Sequence, residues 1–293
     1  MRRAPPTRHR EPSTTAGLFS GSDLGARVFH GILVFQGILE FQGILRLMAP
    51  EKFPPSRPPC AVAVVFAMAI EADAFAARAR ETVDFQAGDL TIFEGVIADR
   101  RVAWCVGGAG AAAASRATRL VIDGHRPGLV ITAGFAGGLD GRLSRGMVAR
   151  PSRVIAERGG PPLDLAAGQG GGSGLTIVSV DRVVTTAAAK RDLAAATGAA
   201  LVDMETHAVA AAARDAGLPC VGIRVISDDA SQDLPQEIAA LVQPQSGMRR
   251  LGAALGALGR RPRAALDMWT LWEHAVVDGR TLAAALEEFV REL

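Results

Sequence analysis

The sequence predicts an α/β fold, a three-layer α/β/α sandwich around a mixed, mostly parallel central sheet. Three observations carry that expectation. Short apolar runs of strand length alternate with alanine-rich stretches of helical composition. The runs are apolar at consecutive positions, so both faces of each strand are covered, as in a parallel sheet flanked by helices. The chain of 293 residues is 49% hydrophobic, enough for one large core, and no linker interrupts it after residue 60.

The elements follow in chain order. Residues 1–20 are rich in Arg, Pro, Ser and Thr, a composition unable to bury enough apolar surface to order itself. Residues 29–46 read FHGILV, FQGILE and FQGILR, a six-residue unit that fits neither a helical solenoid nor a heptad, and a tandem duplication accounts for it. His30, Gln36, Glu40 and Gln42 interrupt this run, leaving it short of the roughly 18 uninterrupted apolar residues of a membrane span. Neither the placement of the apolar segment nor a cleavage site fits a signal peptide. Residues 1–59 therefore read as a disordered or misassigned extension, with Met48 as the expected true start.

Ala61–Phe66 reads as a first strand feeding a helix over Glu71–Arg80. Further strands are expected at Leu90–Val96, Val102–Val106, Leu129–Thr132, Thr176–Val178 and Val221–Ile226. Helices fit Ala111–Asp123, Ala187–Thr197 and Glu205–Ala216. A catalytic domain over 60–235 is followed by a helical extension over 236–293, with helices at Met248–Leu258, Arg260–Val277 and Thr281–Leu293.

Composition narrows the function. With 32 Lys+Arg against 30 Asp+Glu, no strong field argues for nucleic acid as a partner. Cys60, Cys105 and Cys220 are far apart and odd in number, and they read as reduced core thiols of a cytoplasmic protein. Five scattered histidines and the absence of CxxC or HExxH spacing predict no metal, and no cofactor is expected.

In folds of this class ligands bind beyond the carboxyl ends of the strands, so chemically capable residues just after a strand carry most weight. Four segments meet that test. AMAIE places Glu71 after strand one, where it could activate a water; taken alone, an ordinary acid in a helix's first turn is the stronger reading. Gly107-Gly108-Ala109-Gly110 superficially matches a dinucleotide fingerprint, but the next strand ends in Ala133-Gly134 without the acid that would hold a ribose. ITAGFAGGL, with Ala136 and Gly137, reads as a strand opening into a glycine-dense loop able to pass close beneath a flat ligand. VDME and RVISDD place Glu205 at a helix start and Asp228 at a strand end, where each also suits a cap or turn.

The ordered set AMAIE, GGAGAAAA, ITAGFAGGL, VDMET and RVISDDA resembles the purine nucleoside phosphorylase and methylthioadenosine/adenosylhomocysteine nucleosidase superfamily over residues 61–231. VDMETHAVAAAARDAGLP, SVDRVVTTAAAKRDL and the long tail look most like its hopanoid-associated branch, held to remove adenine from adenosylhopane. The resemblance implies that Asp228 protonates N7 of the purine, helped by Ser227. It gives Glu205 the ribose hydroxyls, Met204 the underside of the sugar, and Glu71 the attacking water. A proton held on Asp228 at neutral pH would require burial or hydrogen bonding that favours the acid form. Gly108, Ala136 and Gly137 would line the substrate.

There are departures from the family pattern. Val183, with Val184, stands where small-substrate nucleosidases place an aromatic ring. Gly107 stands where many relatives carry a polar residue, which weakens a phosphate site, and His207 replaces a small residue beside Glu205. The partner implied is a small or lipid-linked purine nucleoside, with phosphate as the alternative co-substrate. A homodimer or larger homo-oligomer is also implied. Methylthioadenosine/adenosylhomocysteine nucleosidase, phosphorylase and a silent nucleoside-binding domain remain alternatives. The tail carries Arg249, Arg250, Arg260, Arg261 and Arg263 with Trp269 and Trp272, which suits peripheral contact with a membrane, although packing on the core or on a partner subunit is favoured.

Overall fold

The computed structural model describes residues 59–167, 174–234 and 262–293, with side chains of the last helix from residue 272 onward. The expected repeats at 29–46, the helix at Met248–Leu258 and Trp269's side chain lie outside them. Pro58–Leu293 forms one compact unit.

Among the described residues eleven strands build one sheet: β1 (Val62–Phe66), β2 (Arg80–Ala87), β3 (Leu90–Ile97), β4 (Arg100–Val106), β5 (Val130–Gly138), β6 (Val148–Ala149), β7 (Arg153–Ala156), β8 (Leu163–Asp164), β9 (Thr176–Ser179), β10 (Leu201–Asp203) and β11 (Cys220–Asp228). The helices are α1 (Ala69–Ala76), α2 (Ala111–His125), α3 (Ala187–Thr197), α4 (Thr206–Asp215) and α5 (Pro262–Arg291). The order is β2-β3-β4-β1-β5-β10-β9-β7-β8, with β11 beside β5 and β6 beside β11. β1 runs parallel to β4 and β5, and β11 parallel to β5, while the β2-β3-β4 edge and the β5-β10 pair are antiparallel. The sheet is mixed, as expected.

The layers follow from alternation along the strands. In β1, Ala63 and Val65 face a core shared with α2 and α4 through Ala117, Val121, Val209 and Ala213. Val62, Val64 and Phe66 face the opposite core, shared with Phe75 of α1 and with Leu282, Leu286 and Phe289 of α5. Each fully buried Leu or Phe there contributes roughly 1.5–3 kcal/mol relative to exposure. Trp104 of β4 fills this second core between Phe75, edge-on at 6.0 Å, and Phe93, stacked at 5.7 Å.

Several elements depart from the sequence expectation. The first helix ends at Ala76, and Arg80 opens β2 instead, an edge strand whose largely exposed side chains give no apolar run to read. The two expected tail helices beyond Arg260 are one helix, α5, packed against α1 and β11. The expected glycine loop is the second half of β5: Val130–Thr132 pairs with β1, and Gly137 and Gly138 pair with β10.

Cys105 and Cys220 lie buried in β4 and β11, and burial pushes both thiols up to about 12. At the amino ends of the parallel strands the fold gathers Cys60, Glu94 and His125, with donor atoms within 4.8 Å of one another. Glu94 there already accepts from Arg101 and lies 2.9 Å from His125 Nδ1, so the cluster is a hydrogen-bonded network, with sequence positions too far apart to read as a motif. Among the described residues no helix is long and apolar enough to cross a membrane.

Candidate active site

A cavity of about 380 Å³ opens where the carboxyl ends of β1, β5, β10 and β11 converge. Glu71, Met204, Glu205, Ser227, Asp228, Val183 and Val184 line it, with Ala136 and Gly137 of β5; of the expected residues Gly108 alone does not, and its neighbour Ala109 does.

Glu71 stands in the first turn of α1, as the ordinary helix-start reading has it, and also on the wall of the cavity. Its Oε2 accepts backbone N–H bonds from Ala67 (3.1 Å) and Met68 (2.9 Å), and Oε1 accepts from Phe135 N (2.9 Å). Burial raises its pKa above the usual carboxylate range, against these three donors and the Arg224 charge.

Glu205 precedes α4, and its Oε1 accepts from Gly110 N at 2.6 Å, tying the glycine turn after β4 to the cavity. That turn therefore serves a carboxylate of its own chain. Burial first, then the charge of Asp203, push Glu205 up to about 7.

A carboxyl with a raised folded pKa stabilises the fold below its unfolded value and loses that contribution as pH rises through the folded value. Stability should therefore fall between about pH 4.5 and pH 7 by on the order of 2 kcal/mol from this group, allowing for water in the cavity. Urea unfolding of wild type and Glu205→Gln at pH 5 and pH 8 checks this: the variant should lose that share of the pH dependence.

Asp228 is buried at the end of β11. Ser227 Oγ donates to its Oδ1 at 2.6 Å, and Lys190 Nζ lies 2.5 Å from its Oδ2. The hydrogen bonds of Lys190 run instead to the carbonyls of Asp229 (2.6 Å) and Gln232 (3.0 Å), so Oδ2 is ion-paired without an aligned donor. The structure buries Asp228, one of the two conditions the sequence reading named, and sets beside it a donor, Ser227 Oγ, and an ammonium group that the reading did not foresee.

The glycines of β5 make room for these acids. A Cβ at Gly134 would stand 2.7 Å from Glu71 Oε1, and one at Gly137 would stand 3.2 Å from Asp228 Oδ2. The close approach read from ITAGFAGGL is thus made in part by the protein's own carboxylates.

Beneath the cavity Arg224 is buried, and its Nη2 donates to Asp203 Oδ2 (2.8 Å), Thr132 Oγ1 (2.7 Å) and Thr206 Oγ1 (2.7 Å). Asp203 also accepts from Ser179 Oγ at 2.6 Å. This network fixes β10 and the start of α4, the support on which Met204 and Glu205 stand. His207 turns away, 3.0 Å from the Pro161 carbonyl.

Sequence reasoning missed Phe135, Arg182, Trp272, His274 and Asp278, which also line the cavity. The last three come from α5, and no local motif announces them. Arg182 is engaged by Glu157 at 2.5 and 2.8 Å.

A mixed, mostly parallel sheet covered by helices, with three carboxylates around one cleft at its strand ends, defines an α/β protein of the nucleoside phosphorylase fold. The chain belongs to the phosphorylase superfamily, whose family model matches residues 61–171 and 173–255. Among solved structures it is similar to the 5′-methylthioadenosine/S-adenosylhomocysteine nucleosidase of Neisseria meningitidis in complex with methylthio-immucillin-A. Identity is 21% and the TM-score 0.61, covering 79% of this chain and 99% of that one. The S-adenosylhomocysteine nucleosidase of Streptococcus pyogenes matches at 17% and 0.61, over 81% and 99%. Futalosine hydrolase of Helicobacter pylori matches at 16% and 0.59, over 79% and 97%. No curated protein sequence matches the chain significantly.

Proposed function

We propose that the protein hydrolyses the N-glycosidic bond of an adenine nucleoside with an apolar 5′ substituent, with adenosylhopane as the leading substrate. The observation that carries this reading is the convergence of Glu71, Glu205 and Asp228 on one cavity. A ribose losing its base becomes oxocarbenium-like, and negative charge and a positioned nucleophile both lower that barrier. Asp228 donates a proton to N7 as the bond from C1′ to N9 breaks and the electron pair leaves with the base. Water then bonds to C1′ and gives its proton to Glu71, while Glu205 accepts from the ribose 2′ and 3′ hydroxyls.

Two features favour water over phosphate. The cations at the cavity are already engaged, Arg182 by Glu157, Arg224 by Asp203, Arg145 by Asp278 and Lys190 by Asp228, so a phosphate anion would meet no uncommitted cation among the described residues. A side chain at Gly107 would meet Ala117 Cβ at 2.7 Å, so the polar group found there in relatives has no room.

Support for an apolar substituent comes from Ile70, Leu234, Ala275 and Trp272, which form part of the wall. Trp272 is 54% exposed, a large aromatic side chain partly in solvent at the cavity wall, where a lipid-linked substrate would arrive.

Adenine release from adenosylhopane and from methylthioadenosine, each with and without phosphate, tests the reading. Phosphate-independent release, faster from adenosylhopane, is expected. Preference for methylthioadenosine would move the substrate to the small thio-nucleosides, and strict phosphate dependence would overturn hydrolysis.

A further inference from the structure

Among the described residues Lys190 is a fully buried lysine, and nothing in the reaction as written uses it. It sits in the first turns of α3, a helix capped by Thr186, whose side chain accepts from Ala189 N at 3.2 Å. Its Nζ is shared between Asp228 Oδ2 and the carbonyls of Asp229 and Gln232. The turn it grips continues to Leu234, whose N–H donates to Thr185 O at 2.7 Å, and both Gln232 and Leu234 line the cavity. One ammonium therefore holds the expected acid and the segment beside it.

Burying an ammonium is costly unless it is paired and hydrogen-bonded. A clamp on two carbonyls could be made by a neutral donor; the charge has a use only opposite another charge. We propose that Lys190 is a positioning residue for the proton transfer: its ammonium orients Asp228 and stabilises the carboxylate left when the proton goes to the departing base. This rests on the reading of Asp228 as the proton donor. Before the step Asp228 is the neutral acid beside Lys190. Afterwards the base carries the proton, the bond to C1′ has broken toward the base, and a carboxylate faces an ammonium at contact distance. The turnover closes when Glu71 returns its proton to solvent and Asp228 takes one up.

The other ionisable groups around the cavity are Glu71 and Glu205, Asp203 of β10, Arg182, and His274 and Asp278 of α5. Asp203 is answered by Arg224 at 2.8 Å, Arg182 by Glu157 at 2.5 Å, and Asp278 by Arg145 at 3.0 Å. Lys190 is the cation paired with Asp228.

The test compares wild type, Lys190→Met, Lys190→Arg, Asp228→Asn and the Lys190→Met/Asp228→Asn double variant. Lys190→Met should lower kcat for adenine release about 10- to 100-fold and move the alkaline limb of the pH profile up by about one pH unit or more, because a carboxyl without its neighbouring cation keeps its proton to higher pH. Lys190→Arg should return the limb toward the wild-type position. In thermal unfolding at a pH above that limb, Lys190→Met should be less stable than the double variant, which has no carboxylate to bury alone. A drop in kcat with an unmoved limb, or wild-type activity in Lys190→Met, overturns the proposal. Wild-type activity in Asp228→Asn instead overturns the donor role, and the proposal with it, so the two failures are distinguishable.

Discussion

Asp228→Asn is expected to reduce adenine release by about a thousandfold, in keeping with the roughly 10²–10⁴ that a positioned general acid contributes. Adenine that leaves unprotonated at N7 departs as an anion, and an amide is far too weak an acid to prevent it. The substitution keeps the shape, and Ser227 Oγ, 2.6 Å from Oδ1, can still bond an amide oxygen. What it removes is the exchangeable proton and, once that proton has gone, the carboxylate opposite Lys190, whose Nζ is 2.5 Å from Oδ2. Wherever wild-type Asp228 is ionised, stability should therefore fall, because the buried ammonium then lacks its counter-charge. Single-turnover release together with binding of a nucleoside analogue separates these effects: binding within a few-fold of wild type with chemistry nearly lost is the expected pattern. Release within tenfold of wild type would remove Asp228 from the proton-donor role.

Glu71 and Asp228 were legible in the sequence because each stands at the end of a strand apolar on both faces, whereas Glu205 was marked by a helix start and by the resemblance, the three-residue strand before it being too short to read. Ala61–Phe66 and Val221–Ile226 gave β1 and β11, and with them the positions of Glu71 and Asp228 at their carboxyl ends. Lys190 was not legible. In AAAKRDLAAAT it looks like any solvated lysine on an alanine helix, and its burial arises only when the turn after β11 folds over α3. Arg224 was likewise quoted as part of a motif without a partner, since Asp203, Thr132 and Thr206 come from three other places in the chain.

The glycines misled in a different way. ITAGFAGG breaks the usual strand composition, so it read as a loop, yet Val130–Gly138 pairs along its length with β11. Small residues are tolerated there because Glu71 and Asp228 occupy the space their side chains would take. The residues of α5 at the cavity were beyond reach for a third reason. A helix far along the chain returns to pack on α1, and which of its side chains meet the cleft depends on that packing alone.

Glu71→Gln is the second large expected effect, and its geometry makes it sharper than a simple loss of base. Both oxygens of Glu71 face donors, Oε2 the N–H groups of Ala67 and Met68 and Oε1 that of Phe135. An amide has one oxygen, so whichever way it turns, its NH₂ must face an N–H. That conflict costs about 1–3 kcal/mol of stability, the usual penalty for leaving a buried donor unpaired. Activity should fall further, by about a hundred- to a thousandfold, because the amide cannot take the proton of the attacking water. In wild type the base must be ionised, and burial holds Glu71 above the ordinary carboxylate range. Hydrolysis should accordingly decline as pH falls through that raised value, and Glu71→Gln should lose that part of the acid limb. The measurement is kcat without phosphate from pH 4 to 9 for both proteins. If the variant matches wild type across that range, water activation by Glu71 is excluded and the nucleophile must be positioned by another group of the cavity.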